Sequence, residues 1–299
     1  MKVNSNFRIT LGVVISLLFM ICCKKGPATS DSVTPNPNIS MDTLSQNAIK
    51  GNGNQYRMRI LSQPDVIEAG KKVVFSLTPQ IVGKETEPVP LDNDHGYDIH
   101  LIIVSNDLSW FDHRHPGLSD LGSYEQTYTF DKGGLYLLYA DYKPMGSTDT
   151  VQIKSIGVNG NAEKEKTYSE SKMTSITGAY EVSISPGESG KFESEKMQTI
   201  TATISKGSIP VDANTLGDYL GSKGHMVIIG VKDKNFLHVH PSVENGNLIF
   251  HTSFKEPGLY RAWLQFQNEN IVQTADFVIL VEQGTSSSME EDRVHQDQH

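Results

Sequence analysis

Two segments of this chain carry the same histidine spacing. One holds His100, His113 and His115; the other holds His225, His238 and His240, each 125 residues further along. Both segments are otherwise rich in the β-branched and apolar residues that favour strands. The repetition predicts one structural module used twice, with three imidazoles at fixed positions in each copy.

The repeat extends beyond the histidines. Pro116 corresponds to Pro241, and the sequence Gly134-Leu-Tyr136 corresponds to Gly258-Leu-Tyr260 at an offset of 124. Each repeat is about 100 residues long, which is the usual size of one domain. We therefore expect two tandem domains rather than a solenoid of short repeats.

Short runs of Val, Ile, Tyr, Phe and Thr dominate the region between the two ends of the chain, and turn-forming residues separate them. Such spacing is typical of an all-β sandwich, and immunoglobulin-like and cupredoxin-like sandwiches both fit. We predict a first sandwich domain at residues 55–158 and a second at residues 173–282. The charged, apolar-poor segment 159–172 is predicted to be the linker.

The histidine spacing predicts that each set shares one face of a sheet. Side chains alternate along a strand, so His113 and His115 point the same way. If the two arms form a hairpin, His100 lies opposite either His113 or His115, according to the register. Both registers bring all three imidazoles together on one face, and a slip of one residue would separate them.

Three neutral imidazoles with an open position suit Zn²⁺ or Cu²⁺. A blue-copper site is excluded because both cysteines, Cys22 and Cys23, lie in the N-terminal segment. Met145 is the best candidate for an additional ligand near the first set. The alternative is that the histidines are structural and were repeated because the domain was duplicated.

One sequence feature is shared with an enzyme family. His238, His240 and Glu244 resemble the first metal motif of the cupins. The first repeat has its acidic residue, Asp120, one position later, and no second cupin motif follows. A cupin-like metalloenzyme is therefore a minor alternative to a protein that is not an enzyme.

The N-terminus has the features of a targeting segment. A basic start precedes an apolar run, Ile9 to Ile21, which is short for a bilayer span, and Cys22-Cys23-Lys24 follows. This junction resembles a bacterial lipoprotein signal, which implies a signal peptide at residues 1–23, lipidation of Cys23 and a periplasm-facing membrane anchor. Residues 24–54 and 283–299 are predicted to be a flexible tether and a disordered tail. The net charge of −9 argues against nucleic acid as a partner.

The pattern of His100, His113, His115, Pro116, Gly134 and Tyr136, repeated 124 to 125 residues later, resembles exported bacterial YtkA-like and cupredoxin-like sandwich domains. The resemblance implies handling of copper or other heavy metals in the cell envelope and favours copper over zinc. The sequence thus predicts an envelope lipoprotein that binds metal for buffering, delivery or resistance. The main alternative is a non-enzymatic sandwich that binds an envelope partner protein.

Overall fold

The computed structural model describes residues 55–93 and 96–284. This part of the chain is all-β and forms two β-sandwiches; its one helical element is a 3₁₀ turn, Ala213–Thr215. None of the described residues form a helix with the length and apolar character needed to cross a bilayer. The predicted signal peptide, tether and lipidated Cys23 lie outside the described residues, as does the predicted tail from residue 285.

The first sandwich contains nine strands in two sheets. One sheet has four strands in the order β1-β3-β7-β6, and the other has five in the order β2-β9-β8-β4-β5. The strands are β1 Tyr56–Gln63, β2 Ile67–Glu68, β3 Lys72–Ile81, β4 Ile99–Ser105, β5 Phe111–Arg114, β6 Gly117–Leu118, β7 Tyr124–Thr129, β8 Gly134–Tyr142 and β9 Thr150–Asn159.

The second sandwich repeats this plan after the charged segment 160–173. Its five-stranded sheet runs β12-β20-β19-β15-β16, and its other sheet runs β10-β11-β13-β18-β17 with β14 paired to β13. The strands are β10 Thr174–Thr177, β11 Tyr180–Pro186, β12 Phe192–Glu193, β13 Met197–Lys206, β14 Ile209–Pro210, β15 His225–Gly230, β16 Phe236–Val239, β17 Ser242–Glu244, β18 Asn247–Ser253, β19 Gly258–Asn268 and β20 Ile271–Glu282.

Each sandwich has its own core, formed by the alternate residues that face inward. In β3 these are Val73, Phe75 and Leu77, which are all buried, and the residues between them are more exposed. In β15, Met226 and Ile228 belong to the core of the second sandwich. The period of two in the strand sequences therefore accounts for the interior of each sandwich.

A third apolar cluster lies between the two sandwiches. Strands β4 and β15 are buried along almost their whole length, so both of their faces are covered. Leu101 and Ile103 face the core of the first sandwich, whereas Ile102 and Val104 face the second sandwich. The third cluster consists of Ile102, Val104, Leu108, Leu137, Tyr139, Val151 and Ile153 from the first sandwich, and Val227, Ile229, Phe236 and Trp263 from the second. The outer faces of the two five-stranded sheets thus pack against each other.

This interface has the symmetry of the sequence repeat. Phe111 stacks on Trp263 with ring centroids 4.7 Å apart, and Phe236 stacks on Tyr139 at 5.1 Å. The offset from Phe111 to Phe236 is 125, and that from Tyr139 to Trp263 is 124. Each sandwich therefore uses the same patch to contact the other, which is the arrangement of an isologous interface.

Gly133 permits a close backbone approach at the edge of the first sandwich. A Cβ atom at this position would lie 2.3 Å from the carbonyl oxygen of Gly160. The Gly133 amide also donates to the Asn161 carbonyl at 2.9 Å, so the two segments have little room to separate.

We expect Gly133→Ala to lower the free energy of unfolding by about 1–3 kcal/mol, measured by urea denaturation. Gly157→Ala in β9 is the matched control, since a Cβ there meets nothing within 4 Å. Equal stability of the two variants would contradict this explanation.

Candidate metal centre

Two hairpins position the histidines. In the first, β4 pairs with β5 so that Ile102 lies opposite His113 and Leu101 opposite Arg114. The same register continued by one residue places His115 opposite His100, which is one of the two registers that the sequence allowed. In the second hairpin Val227 lies opposite His238, so the arrangement repeats. All three histidines of each set share the outer face of their five-stranded sheet, beside the apolar interface.

The first triad consists of His100, His113 and His115. One ring nitrogen from each histidine lies within 4.8 Å of the other two, and His100 Nδ1 is 3.0 Å from His113 Nε2. His100 and His113 are buried. His115 Nε2 is also buried, and among the described residues it has no hydrogen-bond partner. A buried polar atom without a partner is costly, and a bound ion would satisfy it.

The second triad consists of His225, His238 and His240 and has the same geometry. One ring nitrogen from each histidine again lies within 4.8 Å of the other two, and His225 Nδ1 is 3.3 Å from His238 Nε2. The Nε2–H of His225 donates to the carbonyl oxygen of Tyr219 at 2.9 Å. This bond fixes the tautomer of His225 and leaves Nδ1 as the ligand atom.

The middle histidine of each triad is hydrogen-bonded to the other sandwich. His113 Nδ1 donates to Gln265 Oε1 at 2.8 Å, and His238 Nδ1 donates to Asp141 Oδ2 at 2.9 Å. Both bonds leave Nε2 facing the triad. Asp141 and Gln265 occupy equivalent positions, because Asp141 pairs with His100 and Gln265 pairs with His225 across neighbouring strands.

Sequence reasoning missed Asp141 and Gln265. The two residues are 124 apart, which is the offset that also relates Gly134 to Gly258 in the repeat. Each follows a run of apolar residues, Asp141 after LYLLYA in β8 and Gln265 after AWL in β19, and this is the signal that could have identified them. Because one is an acid and the other an amide, a comparison of identical residues in the two repeats passes over them.

Burial keeps His113 and His115 of the first triad neutral. It lowers the pKa of His113 well below the ordinary value, and the neighbouring His115, His238 and His100 lower it further. Burial, followed by His100 and His238, lowers the pKa of His115 to about 3. Since a metal binds the neutral imidazole, these residues are in the ligand form at pH 7.

The two triads are neighbours. The ring of His100 lies 5.1 Å from that of His238 and 6.2 Å from that of His225, measured between centroids. The ring of His113 lies 5.8 Å from that of His238. The interface therefore brings six histidines, three from each sandwich, into one cluster.

The donor set is nitrogen only. Among the described residues, the groups of His, Cys, Asp and Glu that could hold a metal ion are the two triads, with no carboxylate among them. Three imidazoles and an open position suit zinc or copper. Glu244, the acidic residue of the cupin-like pattern, is exposed at the end of β17 and accepts a hydrogen bond from Ser242 at 3.0 Å.

Met145 as an additional ligand stays a prediction. It lies between β8 and β9 and is 59% exposed. Its backbone amide donates to the carbonyl of Pro90 at 2.9 Å, which ties this segment to the loop before β4.

The second sandwich is similar to one protein family. Residues 174–283 match a family described as "Domain of unknown function (DUF8832)". No curated protein sequence is significantly similar to the chain.

Solved structures with similarity to the chain include the following three. They are the fibronectin(III)-like modules of Clostridium thermocellum CbhA (14% identity, 75% of this chain and 95% of that chain, TM-score 0.21), carbohydrate-binding modules of the β-sandwich superfamily (12% identity, 77% and 94%, TM-score 0.23) and Bacteroides ovatus SGBP-B in complex with a mixed-linkage heptasaccharide (11% identity, 76% and 70%, TM-score 0.22).

Proposed function

We propose that this protein is a lipid-anchored protein of the bacterial cell envelope that binds copper through its two histidine triads. Its role would be to buffer, deliver or confer resistance to the metal, without catalysing a reaction. The observation that carries the proposal is the convergence, twice, of three imidazole nitrogens within 4.8 Å of one another.

The donor chemistry supports copper over zinc. Nitrogen ligands bind Cu²⁺ more tightly than Zn²⁺ in the general order of divalent affinities. The resemblance to YtkA-like and cupredoxin-like domains points the same way. Zinc is the second candidate, since it also accepts three imidazoles and an open position.

The surroundings of the triads support binding rather than catalysis. A metalloenzyme needs an acid or base beside the metal that is free to transfer protons. The carboxylate of Asp141, which lies next to the second triad, instead accepts the Nδ1–H of His238. That contact orients a ligand, as is usual in the outer shell of metal sites.

The envelope location comes from the N-terminal sequence. Lipidation of Cys23 would anchor the sandwiches at the membrane through acyl chains alone. An envelope protein that receives or supplies the metal would be the partner.

Titration of the purified protein with Cu²⁺ and Zn²⁺ against a competing chelator tests the proposal. We expect two equivalents per chain, and we expect His113→Ala combined with His238→Ala to remove both, weakening each site at least 100-fold, because each triad loses one of three ligands. His251→Ala, which removes an exposed histidine on β18, is the matched control and should retain two equivalents. If the double variant still bound two ions, the triads would not be the sites.

A further inference from the structure

We infer that the two triads form one six-histidine centre for a pair of metal ions, in which each sandwich orients the middle histidine of the other sandwich's triad. The inference rests on the proposed function in one respect, namely that the ligand is a metal ion. It adds that the sites depend on each other, with Asp141 and Gln265 as positioning residues.

The hydrogen bonds of the two middle histidines cross from one sandwich to the other. A histidine that binds a metal through Nε2 is oriented by the group that accepts its Nδ1–H. For His113 that group is Gln265, and for His238 it is Asp141, each in the other sandwich. Gln265 is itself held, because its Nε2–H donates to Thr274 Oγ1 at 3.2 Å. The middle histidine of each triad therefore has its orienting contact in the other sandwich.

Apolar packing between the sandwiches sets the geometry of the interface without a bound ion. Tyr139, Ile102 and Ile229 are fully buried between the sandwiches. Phe111 lies on the same strand as His113 and stacks on Trp263, and Phe236 lies on the same strand as His238 and stacks on Tyr139. Because packing already sets the geometry of both triads, binding of the first ion does little to rearrange the triad that binds the second ion.

Two metal ions bound in the two triads would interact through their charges. With His100 and His238 in ring contact at 5.1 Å, two cations bound to the triads would repel each other in a buried environment where screening is weak. The repulsion grows with the product of the charges, so it is greater for Zn²⁺ than for Cu⁺. The carboxylate of Asp141 offsets part of this repulsion at the second triad, whereas the amide of Gln265 does not do so at the first. We therefore expect the second triad to fill before the first.

The test uses the full chain with one triad removed. In the background His100→Ala/His115→Ala, only the second triad remains, and Zn²⁺ affinity is measured with a competing chelator. We expect Asp141→Ala, a change in the opposite sandwich, to lower this affinity 10- to 100-fold, and Asp141→Asn to restore part of it because an amide oxygen also accepts from His238. Asp131→Ala, which removes an exposed carboxylate of the first sandwich, is the matched control in the same background and should change the affinity less than about threefold.

A second measurement examines the coupling in the native sequence. Two Zn²⁺ equivalents should bind in steps separated at least tenfold beyond the statistical difference, and single-triad variants should show only one step. Thermal unfolding of each variant without metal confirms that it is folded. If Zn²⁺ binds but Asp141→Ala has no effect and the two steps are identical, the shared centre is wrong and the proposed function stands. If the native protein binds no Zn²⁺ or copper, both fail.

Discussion

Replacement of Trp263 by alanine should lower the free energy of unfolding by about 4 kcal/mol, which corresponds to a fall in Tm of about 10 °C. Trp263 is 3% exposed and belongs to the cluster between the sandwiches. It stacks on Phe111 at an interplanar angle of 14°, and the guanidinium of Arg261 lies 5.1 Å from its ring centre. The variant therefore loses buried area, an aromatic pair and a cation–π contact, and leaves a cavity.

Trp110→Ala is the matched control for this prediction. Trp110 is 37% exposed and makes edge contacts with Tyr128 and Tyr136 within the first sandwich. Its replacement should lower the free energy of unfolding roughly a third as much, because less of the Trp110 side chain is buried in the folded protein. Calorimetry of the two variants makes the comparison. Similar losses would mean that the face between the sandwiches contributes no more to stability than an ordinary surface.

Lowering the pH from 7 to 5 should reduce the stability of the chelator-treated protein by about 3 kcal/mol, with a fall in Tm of about 8 °C. The unfolded chain protonates its histidines near pH 6.5, whereas burial holds the pKa of His113 far below that value and that of His115 at about 3. These residues stabilise the fold fully above the unfolded pKa, and the contribution is lost as the pH falls below 6.5. We assign about 2 kcal/mol to the buried His113 and about 1 kcal/mol to the partly exposed His115.

The double substitution His113→Gln/His115→Gln separates this effect from general acid destabilisation. Glutamine does not titrate, so the variant should lose much less stability between pH 7 and pH 5 than the native protein. Urea denaturation at both values measures the difference. An unchanged pH dependence in the variant would show that other groups are responsible.

Much of the local structure follows from short-range patterns. The alternation in β3 predicts its inner face, and the spacing of His100, His113 and His115 predicts a shared face in either register. The structure has the register in which His100 and His115 are opposite. These features depend on the period of a strand, which a sequence displays directly.

The packing of the sandwiches was not predicted, although a signal for it exists. The runs HLIIV and HMVIIG are apolar without alternation, which in an antiparallel sheet indicates that both faces are buried. The runs do not show what covers the second face. That depends on residues distant in sequence, such as Trp263 against Phe111 and Gln265 against His113, and no local period relates them.

The symmetry of the interface has a consequence for the origin of the chain. A patch that meets its own copy is the patch through which a single-sandwich ancestor would form a homodimer. Such a homodimer would carry two aspartates or two glutamines at the position now held by Asp141 and Gln265, because both subunits would come from one gene. Joining the halves in one chain would remove that constraint, so that one position can hold an acid, Asp141, and the other an amide, Gln265.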